Sequence, residues 1–199
     1  LLPATAIHYE DIWTDPVASG RAPDAAFTYD YLDLETAAPT SSDCVTAWRA
    51  GCRITIHYER HIHPLWSKPR VTLAADSTVL RDDTCVACHS ARAADGTTRV
   101  PAAQLELTDG PSADVPTQFH AYRELLATDA EQEVVNGALQ DRLVQTGVDP
   151  VTGLPQFSTV PVAPSLRAGN ASGSVSFFSL FAPGGTHAGW LSPAELKLV

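Results

Sequence analysis

Methionine is absent from this chain of 199 residues, so no thioether sulfur is available as a metal ligand. Cysteine is scarce, with four residues, and charged residues make up only 18% of the chain. Basic residues number 13 against 23 acidic ones, which gives a formal net charge of −10. An acidic surface argues against binding to nucleic acid or to anionic membranes.

Long apolar runs are also missing, and no stretch could span a membrane, so we expect no membrane span. The first residues, Leu1-Leu2-Pro3, lack the charged region of a signal peptide. Hydrophobic residues nevertheless make up 44% of the chain, interrupted by 15 prolines and 12 glycines. This composition is typical of a loop-rich domain that buries a core, because apolar residues occur throughout.

The segment Cys85-Val86-Ala87-Cys88-His89 carries most of the information on function. C-x-x-C-H is the pattern of covalent c-type haem attachment, in which both thiols bond the haem and the His becomes the proximal iron ligand. The pattern occurs once, so the sequence predicts one haem c. The alternatives are a zinc site built from Cys44, Cys52, Cys85 and either Cys88 or His89, and a thioredoxin-like redox pair. A zinc site does not need a His directly after the second Cys, and no βαβ pattern surrounds the motif.

The cysteines also indicate a compartment. Haem attachment through this motif takes place outside the bacterial cytoplasm, so we expect a periplasmic or extracellular protein whose signal segment was removed or lies upstream. Cys44 and Cys52 enclose a short loop and could form a disulfide in an oxidising space. The alternative is that they are two buried thiols.

The sixth iron ligand must be a second His, a weaker donor, water or nothing, because Met is absent. We favour His187 as the distal ligand, since it lies downstream of the motif in a Gly-rich segment, 183–190. Glycine lets a backbone approach a planar cofactor, and Trp190 could cover the porphyrin edge. His61, in an aromatic segment, is the second choice. The remaining candidates are His8, His57, His63 and His120, and an open sixth position would suit catalysis.

Two further sets of residues are candidates for the surroundings of the haem. Arginines that could pair with the propionates, or that are ordinary surface charges, are Arg53, Arg81 and Arg92. Aromatic residues that could wall the porphyrin, or that are ordinary core, are Tyr58, Trp66, Phe177, Phe178 and Phe181.

Turn and periodicity signals predict a mainly α chain with much irregular loop. We interpret it as a cytochrome c-like haem domain with an irregular N-terminal extension. Residues 1–50 carry turn signals and few periodic elements, so we interpret them as that extension or as a linker from an upstream domain. Residues 51–199 would form the monohaem domain. Alternation predicts a strand over 52–58, and caps and apolar stripes predict helices at the haem motif, 117–128, 128–136 and 174–181.

The carboxyl-terminal residues predict a helix that begins at Ser192. Ser192-Pro193-Ala194-Glu195 combines a Ser cap, Pro at the first helical position and Glu at the third. Only two turns fit before Val199, and so short a helix has little to bury. We therefore expect the native polypeptide to continue and the domain to be truncated within this helix.

Several segments resemble the C-terminal haem region of proteins related to the hydrazine synthase alpha subunit. They are Cys52-Arg53-Ile54, Tyr58-x-x-His61-Ile62-x-Pro64-Leu65-Trp66, the C-x-x-C-H run, Val100-Pro101-Ala102-x-Gln104-Leu105-x-Leu107-Thr108-Asp109, Tyr122-Arg123-Glu124-Leu125-Leu126, and 177–196 with its Gly185-Thr186-His187-Ala188-Gly189-Trp190 core. The resemblance covers residues 40–199. It implies a multidomain exported protein and a bis-histidine electron-transfer haem, with His89 and His187 as axial ligands. Hydrazine synthesis is not implied for this chain.

The sequence thus predicts electron transfer by a covalently bound, bis-histidine, low-spin haem within a larger exported protein. Two imidazoles lack the potential-raising thioether, so we expect a low potential. Partners would be redox proteins or neighbouring haem domains, and the chain could form a homo-oligomer or join a larger complex. The alternatives are part of a haem enzyme that acts on a small nitrogen or oxygen species, as hydrazine synthase does, and a haem-stacking assembly module.

Overall fold

The computed structural model describes residues 6–9, 15–20, 22–23, 27–30, 34–47 and 49–199. The chain divides into two compact units. The first contains Leu1–Ile62 together with Leu191–Val199, and the second contains His63–Trp190. The C-x-x-C-H motif and His187 both belong to the second unit, which is therefore the part of the molecule that bears on the predicted site.

The described residues include seven α-helices, a π-helix and two 3-10 helices. The α-helices are α1 (Pro16–Ser19), α2 (Ser42–Thr46), α3 (His63–Ser67), α4 (Cys85–Cys88), α5 (His120–Leu126), α6 (Val175–Ser179) and α7 (Pro193–Leu198). The π-helix spans Tyr58–Ile62, and the 3-10 helices span Ala102–Gln104 and Ala171–Gly173. The strands are β1 (Ala6–Tyr9), β2 (Phe27–Asp30), β3 (Val71–Leu73), β4 (Val79–Asp82), β5 (Asp129–Ala130), β6 (Gln132–Val135), β7 (Ala138–Asp141), β8 (Leu143–Val148), β9 (Pro155–Thr159) and β10 (Pro161–Val162).

The prediction of a mainly α, cytochrome c-like fold is wrong. The described part of the chain is 26% helical with 20% strand, and the strands form small antiparallel sheets. Each described sheet has two strands: β1–β2, β3–β4, β6–β7, β8–β9 and β5–β10. Even α5 has only 7 residues, about two turns, and helices this short depend on packing for their stability. The helices therefore do not form a bundle that could dictate the fold.

The predicted helix over 128–136 is instead a strand and the start of a hairpin. Strands β6 and β7 are joined by Asn136 and Gly137, whose φ angles are 53° and 81°. A two-residue turn with both residues in the left-handed region matches the twist of the paired strands, and Asn-Gly is its preferred sequence. This turn outweighs the capping-box spacing that begins at Thr128.

The predicted strand over 52–58 is also wrong. Residues 52–57 are irregular, and the Thr55 N–H donates to the Pro39 carbonyl at 2.8 Å rather than to a sheet ladder. The other helix predictions are confirmed with shorter bounds, since α5 lies within 117–128 and α6 within 174–181. Helix α7 has the predicted capping box, in which the Ser192 N–H donates to the Glu195 carboxylate at 2.8 Å.

Each unit has its own buried side chains. In the second unit Leu65, Trp66, Ala121 and Leu125 on α3 and α5 are at most 1% exposed. In the first unit α7 lies against β2 and buries Leu198. Among the described helices, none combines the length and apolar character that a membrane crossing requires.

Candidate haem-binding site

Helix α4 contains both thiols of the motif. Thr84 is its N-cap residue, but the Thr84 hydroxyl accepts from the Arg70 N–H at 2.9 Å instead of capping the helix. Cys85 and Cys88 are the first and last residues of the helix and thus lie one turn apart. Cys85 is buried and Cys88 is exposed. The spacing presents two thiols to one side of the helix, next to His89.

His89 follows α4 directly and is fixed by its ring and by its backbone. Its Nδ1 donates to the Leu105 carbonyl at 3.1 Å, and its own carbonyl accepts from the Leu107 N–H at 2.9 Å. Because Nδ1 is engaged, Nε2 is the nitrogen through which His89 would bind a metal. Burial holds the pKa of His89 below its usual value, while the bond to Leu105 acts in the opposite direction. A metal-binding imidazole must be neutral, so this environment suits a ligand.

His187 lies on a tight loop whose conformation depends on Gly185. The His187 N–H donates to the Leu180 carbonyl at 2.8 Å, and its Nδ1 hydrogen-bonds with the Thr186 hydroxyl at 3.1 Å. A Cβ on Gly185 would lie 2.2 Å from the Leu180 carbonyl oxygen and 2.5 Å from that of Ser179. Glycine is therefore required here because the backbone approaches itself. Burial lowers the pKa of His187, and the charge of Asp83 opposes the effect.

The fold brings the rings of His89 and His187 together. Their centroids are 6.2 Å apart and their planes are inclined by 37°. Two imidazoles that bind one metal ion from opposite sides, with metal–nitrogen bonds of about 2.0 Å, would have centroids about 6 Å apart. The inclination is no obstacle, because each ring can rotate about its own metal–nitrogen bond. The residues present therefore fit a metal held between the two imidazoles.

Aromatic side chains surround His187. Trp190 packs edge to face against it with centroids 4.3 Å apart, and Phe181 lies at 5.5 Å. The guanidinium of Arg81 lies 5.6 Å from the Trp190 ring centre, and its Nε donates to Asp83 at 2.6 Å. The Trp190 indole nitrogen is buried without a hydrogen-bond partner in the described part of the chain. Of the predicted surroundings, Phe181 and Arg81 thus lie beside the distal ligand candidate.

Three other histidines, His61, His63 and His120, have hydrogen-bond partners of their own. His61, the second choice for the distal ligand, belongs to the first unit, where its Nδ1 accepts from the His57 N–H at 2.9 Å. His63 is buried in the second unit, bonded to Asp109 and packed edge to face against Phe119. His120 lies 3.4 Å from the Thr108 hydroxyl. Histidine 8 is on β1, and its side chain lies outside the described residues.

The expected disulfide is present between Cys44 and Cys52, with Cα atoms 5.8 Å apart. A disulfide sulfur cannot serve as a thiolate ligand, so the bond removes two donors from the four-cysteine zinc alternative. Among the described residues, no group of three or more His, Cys, Asp or Glu side chains is arranged to hold a metal ion. A pair of imidazoles alone suits a metal whose other ligands come from a cofactor, and a porphyrin supplies four nitrogens.

Sequence reasoning missed the groups that support His89. The group that accepts from His89 is the backbone carbonyl of Leu105. Every residue has such a carbonyl, so the sequence does not indicate which one is the acceptor. Glu124 on α5 was also missed as a site residue: burial, and then a hydrogen bond with Asp129, raise the pKa of its carboxyl to about 8. Its sequence signals are its place in the Tyr122-Arg123-Glu124-Leu125-Leu126 segment of the resemblance and its position beside the apolar Leu125.

Comparison of the chain with protein-family models, curated proteins and solved structures gives no match. The interpretation of the site therefore depends on its own geometry and chemistry.

Proposed function

We propose that this chain binds one haem c and transfers electrons. Cys85 and Cys88 would form the thioethers, and His89 and His187 would be the axial ligands. The observation that carries the proposal is the 6.2 Å separation of the two imidazoles directly beside a C-x-x-C-H helix. With both axial positions filled by imidazole, no coordination site is left for a substrate, so electron transfer is favoured over catalysis.

A bound haem c supplies a one-electron couple, and the protein sets its potential through ligand type, burial and hydrogen bonding. Here the chain supplies two imidazoles and no thioether sulfur. The bond from His89 Nδ1 to the Leu105 carbonyl makes the imidazole more basic, which favours the oxidised metal. We therefore expect a low midpoint potential. A net charge of −10 suits a redox partner with a basic surface, or a neighbouring haem domain of the same complex.

The disulfide supports an exported location, because such bonds persist in oxidising compartments. The resemblance to proteins related to the hydrazine synthase alpha subunit points in the same direction and supports an electron-transfer role. We propose this relationship for the haem region alone and assign no hydrazine synthesis to the chain.

The test uses the protein expressed with the c-type haem assembly machinery. We expect a mass increase of one haem, a low-spin spectrum, and no binding of carbon monoxide to the reduced protein. Carbon monoxide should bind rapidly to the His187→Ala variant. It should not bind to His57→Ala, a matched control at an exposed His of the first unit. An unmodified mass would overturn the proposal, and rapid carbon monoxide binding to the native protein would favour the catalytic alternative.

A further inference from the structure

One peptide group lies between His89 and a half-buried carboxyl group. The carbonyl of the Leu105–Glu106 peptide accepts from His89 Nδ1 at 3.1 Å. The N–H of the same peptide donates to Glu124 Oε2 at 3.5 Å, a long hydrogen bond. A single planar amide thus connects the proximal ligand candidate with a side chain on α5.

We propose that Glu124 is a positioning residue that tunes the redox potential of the haem through this peptide and makes the potential depend on pH. The inference rests on the proposed function. When Glu124 is ionised it polarises the peptide, because hydrogen bonds in a chain strengthen one another. The Leu105 carbonyl then accepts more strongly from His89, and the imidazole becomes more basic. Both this effect and the added negative charge favour the oxidised state.

The titration falls in an accessible pH range. The pKa of the Glu124 carboxyl is raised to about 8, mainly by burial. Asp129 raises it further through a hydrogen bond and through its charge, and the charge of Glu106 makes a smaller contribution. These two carboxyl groups are the titratable groups that face it, and the bond from the Glu106 N–H acts in the opposite direction. Near this pH, each electron from the redox partner enters with, on average, a fraction of a proton from water, which Glu124 binds.

The experiment measures midpoint potential against pH from 6 to 10 on the haem-loaded protein. We expect the potential to fall with rising pH around 8. If the proton affinity of Glu124 differs about tenfold between the oxidation states, the total fall is about 59 mV for a one-electron couple. Glu124→Gln should remove the fall. Glu133→Gln is the matched control, since it deletes an exposed carboxyl on β6 and should retain the fall.

A second variant covers the case in which Glu124→Gln does not fold. Asp129→Asn removes the main neighbouring charge, so the pH of the inflection should move downward. Equal pH dependence in the native protein, Glu124→Gln and Glu133→Gln would overturn this inference, as would a native potential that is constant from pH 6 to 10. Either result with covalent haem present leaves the proposed function intact. A polypeptide without haem overturns the proposed function and this inference with it.

Discussion

Replacing Gly185 by Ala should damage the distal side of the site while leaving the rest of the second unit folded. The added Cβ would lie 2.2 Å from the Leu180 carbonyl oxygen, which is the acceptor of the His187 N–H. The three obstructing atoms, the Ser179 carbonyl oxygen and the Leu180 carbonyl oxygen and carbon, all belong to the backbone and cannot rotate away as a side chain could. The loop itself must therefore move, and His187 moves with it.

The magnitude follows from this geometry. Ordinary contact begins at 3.4 Å, so the backbone must shift by about 1.2 Å from the 2.2 Å approach. Overpacking of this kind costs about 1–3 kcal/mol, and loss of the bond from His187 to Leu180 adds about 1 kcal/mol. We expect a total loss of about 3 kcal/mol, or a Tm lower by about 9 °C at about 3 °C per kcal/mol.

Two measurements separate a moved ligand from general destabilisation. Thermal unfolding reports the stability, and carbon monoxide binding to the reduced, haem-loaded protein reports whether His187 still occupies the sixth position. The matched control is Gly147→Ala on β8, where the new Cβ meets Gln156 at 3.8 Å, an ordinary contact. It should change stability by less than about 0.5 kcal/mol. If Gly185→Ala keeps the native Tm and excludes carbon monoxide, the argument for a positioned distal loop is wrong.

Stability should also depend on the pH at Glu124. In the folded protein the pKa of its carboxyl, about 8, lies above the usual value of 4.5, so its contribution to stability is complete below pH 4.5 and is lost as the pH rises through 8. Each unit by which the pKa is raised corresponds to about 1.4 kcal/mol of stability. Because the carboxyl is only half-buried and solvent screens its interactions, we discount the total and expect a loss of about 2 kcal/mol. Denaturant melts of the native protein and Glu124→Gln should diverge accordingly, and parallel curves would contradict the assignment. Replacing Cys44 and Cys52 by Ser should cost about 2–3 kcal/mol, given their separation of 8 residues. A reductant should then no longer affect stability, and an unchanged denaturation midpoint would refute the estimate.

The sequence allowed prediction of features that depend on local chemistry. The C-x-x-C-H helix, the Ser192 capping box and α5 follow from spacing and caps, and all three are present. The choice of His187 over His61 used the glycines beside it, and the structure brings His187 to His89. In the structure Gly185 accommodates carbonyl groups of the chain itself.

The fold class could not be predicted in the same way, because most strands have no buried face. Strands β3, β4 and β9 are exposed along their whole length, so the alternation of apolar and polar residues that identifies a half-buried strand is absent. Their pairing depends on turns such as Asn136-Gly137 instead. Capping-box spacing therefore favoured a helix over 128–136, where turn chemistry produced a hairpin.

The error in fold class does not change the candidate site, because local hydrogen bonds, and not a bundle of helices, position the two imidazoles. His89 is fixed by hydrogen bonds with Leu105 and Leu107, and Arg99 braces the same segment through the Ala87 and Ser90 carbonyls at 2.6 and 2.9 Å. Backbone acceptors of this kind do not depend on neighbouring side chains, so they can hold a ligand in an irregular segment. Sites on loops are usually less precise than sites on helices, and local hydrogen bonding compensates for that here. It follows that removing the Arg99 guanidinium should loosen the proximal side of the site, including the end of the Cys85–Cys88 helix whose Ala87 carbonyl it holds.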